Sequence, residues 1–265
     1  MRIGVLIICM LSILSCTQKT ESNPSVFVQQ QEISLTSPRV TASNTIIDSM
    51  VTITAQLGLE GVAIHYTEDG SEPTENSTLY SAPITTKREG IYSFKAFHSD
   101  WKPSETTSLK LYRKGIVPRK IDWETKPHPT YLGLGETTLS NQKKATLNFR
   151  DQQWVGYDTI AFAKAYFDKT PFIKSMTIGY LIDTKSWIFP PEKVVLLLNQ
   201  KDTIQVDIPM VDKEAGSRLE DIQIPIHKEI EHIEIAVYNT SKLPTWHSGK
   251  GLKAWLFMDE WIFNE

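Results

Sequence analysis

Two stretches near the end of the chain carry side chains whose types and spacing suit chemistry. Asp259-Glu260 is an adjacent acid pair, the residue types that acid/base work on a glycosidic bond employs. Pro244-Thr245-Trp246-His247-Ser248-Gly249 sets an indole beside an imidazole in a segment rich in turn formers. An exposed indole stacks on the apolar C–H face of a sugar ring, and a nearby His or Arg hydrogen-bonds its hydroxyls. Trp154 with Arg150, and Trp187, stand in further loop-like segments. The candidate sugar-binding set is therefore Trp246, His247, Trp154, Arg150 and Trp187. The competing reading is that these rings pin loops onto a core. His65, His98 and His128 form no metal-ligand spacing, and G-x-S-x-G, P-loop and H-E-x-x-H motifs are absent.

The elements that must hold these residues read as β-strands. In Ala254-Trp255-Leu256-Phe257-Met258-Asp259-Glu260-Trp261 an unbroken strand sends Asp259 and Glu260 to opposite faces, where they cannot serve one substrate. Trp255, Phe257 and Trp261 share one parity and Ala254, Leu256 and Met258 the other, which predicts a strand buried on both sides. Upstream, Val51-Thr52-Ile53-Thr54 alternates, and Val62, Ile64 and Tyr66 recur with period two. Ile91 and Ser93 are followed by Phe94, Ala96 and His98 on the opposite parity, and Leu109 and Leu111 close the segment. Residues 33–113 thus predict a small β-sandwich. Residues 114–120, basic and carrying Gly115 and Pro118, predict a hinge. Residues 121–265 return to strand patterns over Asp168 to Leu181, Lys193 to Leu198, Asp202 to Ile208 and Glu231 to Tyr238. Ile160 to Phe167 fits a helix by length and a strand by its aromatics. A larger sandwich of jelly-roll type is expected there.

The chain has 265 residues, 40% hydrophobic and 22% charged, with a net charge of -3. Nucleic acid is not an expected partner, because phosphate contacts need clustered Lys and Arg. Residues 1–15 carry Arg2 and an apolar run from Ile3 to Leu14, short for a span of about 20 residues but suited to a signal peptide. The run ends in Ser15-Cys16, which resembles a bacterial lipobox. That implies cleavage before Cys16 and a diacylglycerol thioether on its sulfur. An ordinary signal peptide cut nearby is the alternative. The only 2 Cys are Cys9 and Cys16, so an exported product holds no disulfide. Residues 16–32 read as a flexible tether.

Two resemblances sharpen this outline. Tyr66-Thr67-Glu68-Asp69-Gly70-Ser71-Glu72-Pro73-Thr74, followed by Ser77, Tyr80 and Lys95-Ala96, resembles the chitobiase/β-hexosaminidase C-terminal domain, a small immunoglobulin- or fibronectin-like sandwich. The second half resembles a discoidin-like (factor 5/8 type C, galactose-binding-like) module of the kind attached to bacterial family 20 glycoside hydrolases. Its carrying residues are Gly135-Glu136-Thr137-Thr138-Leu139, Asn148 to Tyr157, Trp187-Ile188-Phe189-Pro190, Tyr238-Asn239 and Pro244 to Glu260. Such modules bind a structural Ca²⁺ between an early loop and a Glu near the last strand, and Asn141 and Glu260 match those positions. Where the family often has Asp-Gly, this chain has Ser140-Asn141-Gln142, so the site carries one charge less. Family 20 enzymes use an Asp-Glu pair on a (β/α)₈ barrel of about 250 residues, and no strand–helix alternation here builds one.

The expected protein is all-β, a small immunoglobulin/fibronectin-like sandwich followed by a discoidin-like jelly roll. No cofactor is expected apart from a structural Ca²⁺. The function expected is non-catalytic: a lipid-anchored protein of the bacterial envelope, on the outer membrane, that binds glycan or supports a separate glycoside hydrolase. N-acetylhexosamine- or galactose-type sugars are the expected ligands. The alternatives are an adaptor docking a partner protein and a barrel-less relative of a β-N-acetylhexosaminidase.

Overall fold

The computed structural model describes residues 33–265. The expected signal peptide (residues 1–15), Cys16 and the expected tether lie outside the described residues. The chain is all-β, as its patterns predict. Its first half runs β1 (Arg39–Ala42), β2 (Ile46–Ile47), β3 (Val51–Gln56), β4 (Ala63–Thr67), β5 (Thr78–Leu79), β6 (Ile84–Thr86), β7 (Gly90–Phe97) and β8 (Thr107–Arg113). These form a three-stranded sheet, β1-β3-β6, and a five-stranded sheet, β2-β8-β7-β4-β5. Val51, Ile53 and Ala55 alternate inward from β3 to meet Tyr92 and Phe94 of β7. The expected parity change in β7 does not occur. Tyr92, Phe94 and Ala96 all face inward, and Ser93 is buried on the other face, where its hydroxyl meets that of Ser108 at 3.0 Å.

The second half contains β9 (Lys120–Trp123), β10 (Val155–Tyr157), β11 (Ala161–Tyr166), β12 (Phe172–Ile182), β13 (Lys193–Leu198), β14 (Asp202–Asp207), β15 (Arg218–Glu229), β16 (His232–Tyr238) and β17 (Leu256–Asn264). A five-stranded sheet, β14-β13-β16-β11-β9, faces a four-stranded one, β10-β17-β12-β15. Every pairing within these two sheets is antiparallel. Ile160 to Phe167 resolves to a strand because Ala161, Ala163 and Ala165 fill the core side of β11. Ile233, Ile235 and Val237 of β16 and Val194, Leu196 and Leu198 of β13 complete that layer.

The connector 114–120 is docked rather than loose. Ile116 N donates to Phe263 O at 2.8 Å and Arg119 N to Tyr166 O at 2.8 Å. A Cβ at Gly115 would lie 2.8 Å from Phe263 O, so only glycine lets the connector approach β17 this closely. Asp221 of β15 accepts from Tyr112 Oη at 2.6 Å and Lys110 Nζ at 2.8 Å, joining β8 to the outer face of the four-stranded sheet.

Candidate functional site

The acid pair is not where an unbroken strand would put it. Ile178 pairs with Trp261 and Tyr180 with Met258, so Gly179 alone faces both Asp259 and Glu260. This is a β-bulge, and it shifts parity by one residue. Leu256 and Met258 before it and Trp261 and Phe263 after it all enter the main core, while Phe257 faces a second cluster. Trp261 therefore leaves the face expected for it. Both carboxylates turn toward segment 141–145, away from the core. Asp259 accepts from Lys144 Nζ at 2.7 Å, Ala145 N at 3.0 Å and the Glu260 N–H at 2.7 Å. Gln142 Nε2 donates to Glu260 Oε1 at 3.2 Å. The carboxylates converge, but both residues are 0% exposed, so a substrate cannot reach them.

Burial pushes the Glu260 pKa up to about 8, and the neighbouring Asp259 adds to the rise. Glu260 Oε2 and Asn141 Oδ1 are both buried without a hydrogen-bond partner. Orphaned hard oxygens are the donor type that Ca²⁺ takes, so Asn141 and Glu260 fit that ion in chemistry. Among the described residues no three His, Cys, Asp or Glu side chains converge on a metal position. Carbonyl oxygens and water would have to complete the six to eight ligands typical of Ca²⁺.

Trp246 stands in a loop that is stapled to itself and to the sandwich. Leu243 N donates to Leu252 O at 2.7 Å, Gly251 N to Leu243 O at 3.0 Å, and Thr240 Oγ1 to Pro190 O at 2.9 Å. His247 is the pin. Gly249 N donates to Nδ1 at 3.0 Å, which leaves the proton on Nε2, and Nε2 then donates to Thr184 O at 2.9 Å. With both nitrogens engaged and only 9% exposure, His247 has no atom left for a sugar, which corrects its expected role. The indoles of Trp187 and Trp246 both meet the imidazole edge-on, with centroids at 5.3 and 5.7 Å. Trp246 rests on Phe189 at 5.9 Å and is 37% exposed. Trp187 is half-buried, with its ring against the backbone of Gly249.

Two further candidates fall elsewhere. Trp154 is a core ring, 1% exposed, whose Nε1 donates to Thr146 O at 2.9 Å. The loop reading failed there because the polar run around Trp154 covers an inward-facing indole. Arg150 is exposed and lies over the Phe149 ring at 5.1 Å, in the cluster of Tyr131, Phe149 and Phe257 rather than beside Trp246. The structure thus brings Trp187, Trp246 and His247 together and leaves Trp154 and Arg150 apart. The candidate sugar-binding set leaves out Phe189, which supports the Trp246 ring. Its place beside Pro190-Pro191 gives no periodic signal.

Residues 41–108 match the family model described as the chitobiase/beta-hexosaminidase C-terminal domain, in agreement with the resemblance of that segment. No curated protein matches the chain. Among solved structures, the chain is similar to CpGH89CBM32-4 of Clostridium perfringens, at 13% identity and TM-score 0.35, over 57% of this chain and 98% of that one. The same module in complex with glcNAc-alpha-1,4-galactose is similar at 10% identity and TM-score 0.33, over 55% and 88%. A fucolectin from striped bass (Morone saxatilis) serum is similar at 11% identity and TM-score 0.33, over 84% and 83%. Nothing about ligand or mechanism passes from these structures to this chain.

Proposed function

We propose that this protein is a non-catalytic, lipid-anchored glycan-binding protein of the bacterial envelope. The carrying observation is Trp246, a partly exposed indole fixed by Phe189 behind it and His247 beside it. An aromatic surface ordered before binding loses little entropy when a sugar stacks on it. Trp187, on the same imidazole, is a second ring for an adjoining residue of the glycan. The sealing of Asp259 and Glu260 supports the non-catalytic part of the reading. Glu260 and Asn141 are assigned a structural Ca²⁺ that braces segment 141–145.

A glycan array probed with the full-length chain tests the binding, with N-acetylhexosamine- and galactose-terminated glycans as the expected hits. Loss of every hit in Trp246→Ala supports the surface, and hits unchanged in that variant overturn it. Hydrolysis of aryl N-acetylglucosaminides, lost in Glu260→Gln with the fold intact, would overturn the non-catalytic reading. Cys16→Ser should leave the membrane fraction or stall in processing, and a variant that fractionates like the parent would remove the anchor. Holding glycan for a separate hydrolase is the role this assigns in the envelope.

A further inference from the structure

The two sandwiches meet along a cleft of about 700 Å³. One wall is formed by Gly90 of β7 and by Lys110, Tyr112 and Arg113 of β8. The other is the outer face of the four-stranded sheet, with Lys174, Ser175, Thr177, Gln223 and His227. We propose that this cleft is a second binding site, separate from the Trp246 surface, for a carboxylate-bearing sugar of the uronic-acid type.

The floor of the cleft presents donors. Asn264 Nδ2 donates to Ser175 Oγ and to Thr177 Oγ1, each at 3.1 Å, and Gln223 Nε2 reaches Ser175 Oγ at 3.4 Å. Both hydroxyls therefore accept from amides and keep their own protons for another partner. Amide-to-hydroxyl chains polarise those O–H groups. Ser175 and Thr177 are only 8% and 7% exposed, so an acceptor entering the cleft meets donors already largely desolvated.

Charge narrows the ligand class. Arg113 is paired with Glu89 at 3.3 Å and Lys110 with Asp221 at 2.8 Å. Lys174 is exposed and makes no ion pair among the described residues. The acids of the lining are Glu89, already held, and Glu265. Lys174 is thus the cation left for a ligand carboxylate, while Pro225 offers apolar surface to the C–H face of a sugar.

Backbone strain marks the same place. Ile173 pairs with Lys228 and Ser175 with Pro225, so Lys174 faces a bulge formed by Ile226 and His227. His227 sits at φ 51°, a left-handed conformation that is costly for a residue with a Cβ. His227 lines the cleft, as Lys174 does. Clefts between domains are preferred ligand positions, and strain of this kind gathers where a ligand is held.

Titration calorimetry of the full-length chain tests this, with a glucuronic-acid-terminated disaccharide and its glucose-terminated counterpart as probes. The acidic probe should bind at least tenfold more tightly than the neutral one. Lys174→Ala should weaken it at least fivefold with melting unchanged, and Lys174→Glu should abolish it. His227→Gly should melt higher yet bind more weakly, which a merely structural bulge residue would not do. Trp246→Ala should bind the acidic probe like the parent, so failure of this site and failure of the Trp246 surface are distinguishable. No binding of the acidic probe, equal binding of both probes, parental binding by Lys174→Ala, or loss of binding in Trp246→Ala would each overturn the assignment.

Discussion

Lys144 and Asp259 form an ion pair at 2.7 Å across 115 positions of sequence, with side chains 4% and 0% exposed. Lys144 Nζ also reaches Asp221 at 3.2 Å. Gly179 lies between them, paired with Asp221 on β15 and facing the Asp259-Glu260 bulge on β17. The ammonium fills the space that a side chain at 179 would take. Burial presses Lys144 toward the neutral form, but Asp259 and Asp221 outweigh it and hold its pKa above the ordinary lysine value. Burial likewise favours the acid form of Asp259. Three donors aimed at its carboxylate favour the charged form, and the pair is read as charged on that geometry. Asp221 is held below the usual carboxylate range, because Lys144, Lys110 and Tyr112 together outweigh its burial.

Removing one member strands the other. Lys144→Met should cost about 3–5 kcal/mol in urea unfolding, the usual penalty for an unpaired buried charge. Lys144→Met combined with Asp259→Leu should recover part of that loss. A single variant within about 0.5 kcal/mol of the parent would show that the pair contributes nothing to stability.

Gly179→Ala tests the close approach directly. Its Cβ would land on the Lys144 ammonium and the Asp259 carboxylate. The ion pair must then separate, so destabilisation should be comparable in size to that of Lys144→Met, and the two changes together should cost less than their sum. Full additivity of the two changes would show that Gly179 acts elsewhere.

The sheet layers were legible in the sequence where one face is apolar. In β13 and β16 inward aliphatics alternate with polar residues or with half-exposed ones, and the predicted and observed strands agree to within a residue. β15 is not among the expected strands, although Ile222, Ile224 and Ile226 alternate inward along it with Pro225 between two of them. The site was less legible for a related reason. Parity arguments assume one residue per pleat, and the bulge at Asp259-Glu260 adds one. Nothing within β17 announces that bulge. Asp259 in that bulge pairs with Lys144, far away in sequence. His247 and Trp154 were misread because a residue type shows what a side chain can bond, not what already occupies it.

Glu260 should make stability depend on pH. Its pKa is pushed from 4.5 to about 8 in the folded chain. Between those values the folded state keeps a proton that the unfolded state has lost. This contribution is complete below about pH 4.5 and is lost as pH rises toward about 8, at roughly 1.4 kcal/mol per unit. In metal-free buffer the parent should therefore lose stability relative to Glu260→Gln between about pH 5 and pH 8. Added Ca²⁺ should reduce that loss in the parent and leave the Gln variant unchanged, because only the carboxylate gains a cation. Parallel pH profiles without Ca²⁺ would show that Glu260 is ionised throughout. Equal profiles with and without Ca²⁺ would remove the metal from this position.

Two tryptophans separate binding from packing. Trp154 is sealed in the core and its indole N–H is bonded to Thr146 O, so Trp154→Ala should cost about 3–5 kcal/mol, the usual cost of truncating a buried large aromatic. Trp246 keeps 37% of its surface exposed and rests on Phe189 and His247 through ring contacts. Trp246→Ala should cost clearly less, about 1–2 kcal/mol, because only part of the ring leaves an apolar environment. It should at the same time abolish glycan binding, whereas Trp154→Ala, under conditions where it stays folded, should bind like the parent. The two changes remove the same atoms, so unequal stability with opposite effects on binding isolates the surface role. Equal destabilisation, with glycan binding lost in neither variant, would make Trp246 another ring that pins its loop and would leave the function to be sought away from this end of the sandwich.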